Sequence, residues 1–251
     1  MVNLHADSEI RVFQDKEAVA EFAVNTWIEL ATASVAEKGW FVVALSGGST
    51  PINFYRQLAV CPHPLPWDKT HIFLADERFV PPDDRDSNYR VINKHLLSRI
   101  AIPKENIHPI LTRGFTIEVS AAKYEADIRT FFKIGDADIP VFDLIILGIG
   151  KDGHTASLFP GTASLQETKR LAIPVIADAS PAERISLSFR VINNAHNICF
   201  LVTGSSKSAV IKEIIEDNKR MLPAAQVQHR GGTVLFLMDE NAASRLSSRG
   251  A

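Results

Sequence analysis

The sequence predicts an α/β fold in which helices cover both faces of a doubly wound, mainly parallel sheet. Four apolar runs without polar alternation lie at residues 40–45, 144–147, 197–202 and 233–238. That pattern is typical of strands buried on both faces of a parallel sheet. Segments with helical periodicity separate the runs, and no internal repeat or linker interrupts them. The alternation predicts a single domain over residues 1–251.

The first elements are a short strand at 9–13 and a long helix. Asp15 is placed to cap this helix, and its apolar residues recur at helical spacing up to Gly39, a plausible end. The buried strand at 40–45 follows.

The loop 46–51, Ser-Gly-Gly-Ser-Thr-Pro, joins this strand to the next helix. Proline suits a first helical turn because its φ angle is fixed and it lacks an N–H. Free backbone N–H groups and the helix dipole would point in the same direction here, so we expect the loop to bind a phosphate. It lacks the Gly-Lys-Ser/Thr ending of a nucleoside-triphosphate loop. Taken alone, it is equally consistent with a tight turn capped by a hydroxyl group.

A third strand, at 71–75, runs into Asp76, Glu77 and Arg78. Residues 81–89 are rich in proline and charge, which indicates an exposed loop. Ser87 is a suitable cap for a helix that we expect to continue through Leu97. The other predicted elements are a strand at 107–111, a helix at 117–132, short strands at 171–175 and 184–189, a helix from Ser205 or Ser206 with Ala209 on its buried side, and a closing helix capped by Asp239.

The strand at 144–147 ends in Gly148-Ile-Gly150-Lys-Asp152-Gly153-His154. Ligands of open α/β sheets bind beyond the carboxyl ends of such strands, so the segment predicts an active-site loop. Its glycines also match a dinucleotide fingerprint, but that motif needs a helix directly afterwards. Pro160 and Gly161 leave little room for one. A structural turn with a surface histidine is the alternative.

Composition excludes several classes of function. The 27 Lys and Arg balance 29 Asp and Glu, so no basic surplus indicates a nucleic acid or a membrane as partner. The two cysteines, Cys61 and Cys199, form no disulfide framework. The sequence contains no H-E-x-x-H motif and no Cys/His cluster, so it gives no indication of a metal site. It also contains no G-x-S-x-G elbow, the motif that would indicate a serine hydrolase. The polar residues 1–7 lack the features of a signal peptide, so we expect a cytoplasmic protein.

Four stretches occur in a fixed order: Ser-Gly-Gly-Ser-Thr-Pro at 46–51, Asp-Glu-Arg at 76–78, Gly-Lys-Asp-Gly-His-Thr-Ala-Ser-Leu-Phe-Pro at 150–160, and Val-Thr-Gly-x-x-Lys at 202–207. Together they resemble the 6-phosphogluconolactonase family across nearly the whole chain. The resemblance implies hydrolysis of 6-phospho-D-glucono-1,5-lactone to 6-phosphogluconate in the oxidative pentose phosphate pathway. It also implies a Rossmann-like sheet shared with glucosamine-6-phosphate deaminases and ribose-5-phosphate isomerases. No cofactor is implied, and the protein is expected to be a monomer or small homo-oligomer.

The resemblance assigns roles to particular residues. His154 is implied as the catalytic base, with Asp152 beside it, and Asp76 and Arg184 are further candidates. The implied phosphate-binding residues are Ser46, Gly47, Gly48, Ser49, Thr50, Arg78 and Lys207. A base for water, an acid for the ring oxygen and cations for the phosphate are what lactone hydrolysis needs, and histidine can perform both proton transfers.

The sequence leaves two other functions open. The first is a glucosamine-6-phosphate deaminase or isomerase, whose family has a carboxylate five residues after the histidine, where this chain has Phe159. The second is a sugar-phosphate binding module that leaves His154 idle. Arg190 departs from the family pattern, and we expect it to be a surface charge rather than a substrate contact.

Overall fold

The computed structural model describes residues 8–229 and 232–247. Residues 1–7, on which the cytoplasmic expectation rests, lie outside this range. The strands are β1 (Ser8–Phe13), β2 (Phe41–Leu45), β3 (Thr70–Leu74), β4 (Asp76–Arg78), β5 (Ile107–His108), β6 (Leu144–Leu147), β7 (Ala172–Ile176), β8 (Glu183–Leu187), β9 (Asn197–Val202) and β10 (Thr233–Asp239). The α-helices are α1 (Lys16–Lys38), α2 (Ile52–Ala59), α3 (Asn88–His95), α4 (Ile117–Phe132), α5 (Phe189–Ile192) and α6 (Ser208–Ile215).

Seven strands form one parallel sheet in the order β1-β10-β9-β6-β2-β3-β5. In its centre Leu45 of β2 lies opposite Leu74 of β3 and Ile146 of β6, and all three side chains are buried. The predicted α/β fold with a mainly parallel sheet is therefore confirmed.

The connections reverse direction in the middle of this sheet. From β1 to β5 the chain crosses the sheet in one direction, and from β5 to β10 it returns in the other. Because crossovers between parallel strands are right-handed, α1 to α3 cover one face and α4 and α6 the other. The loops that follow the neighbouring strands β2 and β6 leave in opposite directions. Such a switch point opens a crevice at the carboxyl ends of the strands.

A second, antiparallel sheet of three strands has the order β4-β8-β7. The N–H of Leu187 donates to the carbonyl of Ala75 at 2.9 Å, and the N–H of Ala75 donates to that of Leu45. Ala75 therefore links the two sheets. The sequence did not predict this second sheet, because Asp-Glu-Arg at 76–78 has none of the apolar alternation by which a strand is recognised.

Helix ends follow the predicted capping residues. The Asp15 side chain accepts a hydrogen bond from the N–H of Ala18 at 2.9 Å, and Gly39 ends α1 in the left-handed conformation, with φ at +90°. The Ser87 hydroxyl likewise accepts from the N–H of Arg90. The buried side of α1 carries Trp27, whose indole packs edge-on against Phe41 of β2.

Several predicted boundaries were wrong. Helix α3 ends at His95 rather than Leu97, and β5 ends at His108 rather than residue 111. Phe189 begins α5 instead of ending β8, because Ser188 turns the chain after the strand.

Two further corrections concern the C-terminal part. A 3-10 turn, Ser205–Lys207, precedes α6, and Ala209 is exposed because it lies one residue outside the buried stripe that contains Val210 and Ile214. Residues 240–245 form turns instead of a helix. Asp239 does cap the first of these turns by accepting from the N–H of Ala242.

None of the helices in residues 8–229 and 232–247 has both the length and the apolar character that crossing a membrane requires.

Candidate active site

One cleft of about 270 Å³ lies beyond the carboxyl ends of β2 and β6, at the switch point of the sheet. Its lining comes from both sheets and from the loops between them. The lining residues are Ser46, Gly47, Gly48, Ser49, Thr50, Pro51, Asp76, Arg78, Asn88, Gly148, Ile149, Gly150, Lys151, His154, Ala156, Arg184 and Lys207. All the predicted site residues except Asp152 are in this set, and Asp152 is hydrogen-bonded to one of its members.

The loop after β2 runs along one wall and leads into α2. The Ser46 hydroxyl is buried and has no hydrogen-bond partner among the described residues. The Ser46 carbonyl accepts from the hydroxyl of Tyr55, whose pKa is raised by burial and by Asp76. A Cβ atom on Gly47 would lie 2.0 Å from Oδ1 of Asn88. The Asn88 side chain therefore approaches the loop backbone more closely than any residue other than glycine would allow.

Asp76 is buried beneath the cleft, with 5% of its surface exposed. One carboxylate oxygen accepts from the hydroxyl of Ser157 at 2.6 Å, and the other accepts from the amide of Asn88 at 3.1 Å. These two donors hold a buried anion that has no cationic hydrogen-bond partner among the described residues. Each carboxylate oxygen can accept further hydrogen bonds from a ligand.

Two arginines project from adjacent strands of the small sheet. Arg78 of β4 and Arg184 of β8 are register partners, and both line the cleft. Arg78 donates to the carbonyl of Asp86 at 2.6 Å, and Arg184 donates to the carbonyl of Pro181 at 3.1 Å. Neither has a carboxylate within 4.0 Å in the described part of the chain. Burial and the positive charge of Arg78 lower the pKa of Arg184.

His154 and Asp152 form a pair on the loop after β6. Nδ1 of the imidazole lies 2.6 Å from Oδ1 of Asp152. Burial alone would raise the pKa of Asp152, but the charge of His154 and its hydrogen bonds outweigh this effect and lower it. A Cβ atom on Gly150 would lie 2.1 Å from Nδ1, so the pair packs directly against a glycine backbone. Gly153, with φ at +81°, makes the turn between the two side chains.

Lys207 stands directly before α6, a poor position for a cation by the helix-dipole rule unless it serves an anion. Its ammonium group donates to the carbonyl of Ile149 at 2.6 Å and lines the cleft. Burial and the neighbouring charge of Lys151 lower the pKa of Lys207. Together with Arg78 and Arg184, Lys207 adds positive charge to the lining of the cleft.

The family model described as glucosamine-6-phosphate isomerases/6-phosphogluconolactonase matches residues 14–236, which is most of the chain. This chain belongs to that family. A 6-phosphogluconolactonase of Synechocystis is 38% identical over 240 residues, covering 95% of this chain and 98% of its own. The 6-phosphogluconolactonase of Rattus norvegicus is 39% identical, covering 86% and 85%.

Solved structures match the fold of this chain as well. The crystal structure of 6-phosphogluconolactonase from Thermotoga maritima has a TM-score of 0.80 and is 35% identical, covering 92% of this chain and 99% of its own. A monomeric glucosamine-6-phosphate deaminase has a TM-score of 0.78 at 22% identity, covering 94% of this chain and 99% of its own. That second likeness concerns the fold alone.

Sequence reasoning missed several residues at or behind the cleft. Asn88 and Ser157 hold Asp76, and Lys151 lies at the rim. A signal for Ser157 existed, since it belongs to the quoted motif at 150–160, but nothing in the sequence pairs it with Asp76. Arg190 lies outside the cleft and donates to the carbonyls of Lys169 and Ala137. No group of three or more metal-binding side chains occurs in residues 8–229 and 232–247.

Proposed function

We propose that this protein hydrolyses 6-phospho-D-glucono-1,5-lactone to 6-phospho-D-gluconate, the second step of the oxidative pentose phosphate pathway. Family membership and relatives named 6-phosphogluconolactonase at 35–39% identity support this function. The observation that carries it is the placement of the His154–Asp152 pair and the arginines Arg78 and Arg184 around one cleft. A base and an anion site are what this substrate requires.

In the proposed mechanism His154 acts as the general base. Its Nδ1 atom donates to the Asp152 carboxylate, which leaves Nε2 free to take a proton from water. The resulting hydroxide oxygen bonds to the lactone carbonyl carbon, and the bond from that carbon to the ring oxygen then breaks. The imidazolium returns its proton to the departing ring oxygen. Asp152 stabilises the positive charge that the imidazole carries between these steps.

The phosphate group is proposed to bind between Arg78 and Arg184, the loop 46–50 and Lys207. Charged hydrogen bonds from arginine to phosphate are strong and directional. Further donors are the N-terminus of α2 and the Ser46 hydroxyl, which has no partner in the described part of the chain. His154 lines the same cleft as these groups, which is compatible with a single substrate that reaches both. The His154 ring centroid lies 4.4 Å from that of Phe159, which is 5.3 Å from the Arg184 guanidinium.

Asp76 is proposed to accept a hydrogen bond from a hydroxyl group of the sugar. It lines the cleft, and its two protein donors, Ser157 and Asn88, occupy only part of its accepting capacity. A carboxylate there would select polyhydroxylated lactones, because a substrate lacking the hydroxyl leaves the buried anion unpaired. Protein side chains supply every group that the proposed reaction needs, so no cofactor is proposed.

A paired assay tests the function. Purified protein is given 6-phospho-D-glucono-1,5-lactone, with the uncatalysed hydrolysis subtracted at each pH, and in parallel glucosamine 6-phosphate. Rapid lactone hydrolysis without ammonia release is expected. Ammonia release at a comparable rate would establish the deaminase instead, and binding of 6-phosphogluconate without turnover of either substrate would indicate a binding module.

We further propose that residues 1–251 act as one cytoplasmic domain. The first and last described strands, β1 and β10, are neighbours in the parallel sheet, which favours a single folding unit.

A further inference from the structure

Phe159 lies on the loop after β6, between the catalytic histidine and an arginine, and is 8% exposed. Its ring centroid is 4.4 Å from that of His154, with 37° between the planes. The guanidinium carbon of Arg184 lies 5.3 Å from the same centroid. His154 and Arg184 both line the cleft, whereas Phe159 stands behind them.

The Arg184 side chain has few other restraints. Its described hydrogen bond is the one from Nε to the carbonyl of Pro181, and its cross-strand neighbour is the like-charged Arg78. Like charges directly opposite on adjacent strands repel each other. An aromatic face attracts a guanidinium through its quadrupole, so the Phe159 ring offsets part of this repulsion.

Three neighbours restrain the His154 imidazole: Asp152, Gly150 and Phe159. The hydrogen bond to Asp152 fixes the position of Nδ1, and Gly150 lies directly behind that atom. A single hydrogen bond does not fix the plane of a ring. Contact with the Phe159 ring restrains the plane, and it thereby restrains the direction of Nε2.

We propose that Phe159 is a positioning residue that aligns the base His154 and the phosphate-binding Arg184 with one another through its single ring. This proposal rests on the proposed lactonase function. Because one ring contacts both groups, its loss would disturb catalysis and phosphate binding together. Loss of His154 alone would disturb mainly catalysis, and loss of Arg184 alone mainly phosphate binding.

The test compares Phe159→Leu with the wild-type enzyme. Leucine keeps an apolar side chain of similar size and removes the ring. Both a lower kcat and a higher KM are expected, each by roughly 2- to 30-fold, the range of a cation–π contact that shields a partly buried group. Phe115→Leu is the matched control, because Phe115 also lies beside a cation, Lys123, but outside the cleft. Its kcat and KM should equal those of the wild type.

Histidine NMR spectra give a readout that does not depend on turnover. The ring current of Phe159 shifts the carbon-bound protons of His154, whose signals are assigned by their absence in His154→Gln. In Phe159→Leu these signals should move towards ordinary positions while those of the other seven histidines stay unchanged. Unchanged signals of the other histidines also show that the variant is folded. If Phe159→Leu fails to fold, Phe159→Met replaces it in both measurements.

Three outcomes would overturn the proposal. The first is a kcat and a KM of Phe159→Leu within twofold of wild type, and the second is His154 signals that do not move. The third is a loss of catalytic efficiency in the Phe159→Leu/Arg184→Lys double variant that equals the sum of the two single losses in free energy. A wild-type protein without lactonase activity would instead refute the proposed function, and the NMR comparison would still test the ring contact.

Discussion

Arg78 and Arg184 lie directly opposite each other on adjacent antiparallel strands, and both face the same cleft. Such a pair of like charges destabilises a sheet by itself. Arg78 also carries a buried Nε atom without a partner among the described residues. An anion bound between the two guanidinium groups would satisfy these donors and remove the repulsion. The pair therefore has the properties of a preformed phosphate site.

Replacing either arginine should mainly weaken substrate binding. Arg78→Ala and Arg184→Ala are each expected to cost on the order of 2–4 kcal/mol in transition-state stabilisation, seen largely as a higher KM. Steady-state kinetics measure this. Thermal unfolding with added inorganic phosphate provides a second measurement, because a ligand that binds only the folded state raises the Tm. The phosphate-induced rise should be smaller in both variants.

Arg190→Ala is the matched control for these arginines. Its guanidinium binds two backbone carbonyls outside the cleft, so its loss should leave KM and the phosphate effect unchanged. Unchanged catalytic efficiency in both Arg78→Ala and Arg184→Ala would show that the phosphate binds elsewhere.

Removing the imidazole should abolish most of the catalysis. General acid–base catalysis by a positioned side chain is typically worth about 10²–10⁴-fold, so His154→Ala is expected to lose kcat by that factor. KM should change little, because other residues are proposed to bind the phosphate. The Tm should change little as well, because the side chain is 30% exposed. If the variant kept more than about a tenth of the wild-type turnover, another group would be handling the proton, and Asp76 would be tested next.

The acid side of the pH–rate profile should show one ionisation. The pKa of Asp152 is lowered, so its carboxylate stays charged under mildly acidic conditions and adds no ionisation of its own to this limb of the profile. A carboxyl group whose pKa is lower in the folded state than in the unfolded state also stabilises the folded protein at every pH above its unfolded-state pKa. This contribution is lost as the pH falls through its folded-state pKa. Rates of the wild type and Asp152→Asn across the pH range check this. A second ionisation in the wild-type limb that is absent from Asp152→Asn would contradict it.

Gly150→Ala should damage the active site without a large loss of stability. The added Cβ atom would lie 2.1 Å from Nδ1 of His154 and 2.4 Å from Oδ1 of Asp152, so the pair must move apart. A fall in kcat is expected, approaching that of His154→Ala. In Gly135→Ala the new Cβ atom would meet its nearest neighbour at an ordinary 3.4 Å, and kcat should be unaffected. Equal kcat values for the two variants would rule out the close packing of this loop.

Glu77→Gln should destabilise the fold. The buried Glu77 carboxylate accepts hydrogen bonds from the N–H groups of Arg78, Asn88 and Tyr89 and from the hydroxyl of Ser87. All four partners are donors, so a glutamine amide would direct its own N–H₂ group at two of them. The cost is expected to be on the order of 2–4 kcal/mol, measured by denaturant unfolding. Glu105→Gln, at an exposed position, is the control.

The parallel sheet and the cleft could be predicted because each depends on local signals. Apolar runs identify buried strands, and glycines with polar residues at their carboxyl ends identify the loops that meet there. The small sheet could not be predicted, because β4 consists of Asp-Glu-Arg and its partner β8 lies more than a hundred residues later. The pairing of Ser157 with Asp76 is hidden for the same reason. Contacts between distant segments leave no periodicity in either one.

The cleft is lined by residues of both sheets, and Ser157 connects the loop after β6 of the large sheet to the small sheet. Its N–H donates to the hydroxyl of Ser186 in β8, and its own hydroxyl donates to Asp76 in β4, while the histidine three residues earlier belongs to the large sheet's loop. The spacing between His154 and the two arginines therefore depends on how the loop after β6 is attached to the small sheet. A substitution that removes the contacts of Ser157 should therefore change the distance between His154 and the two arginines, and with it the length of ligand that the cleft can accept.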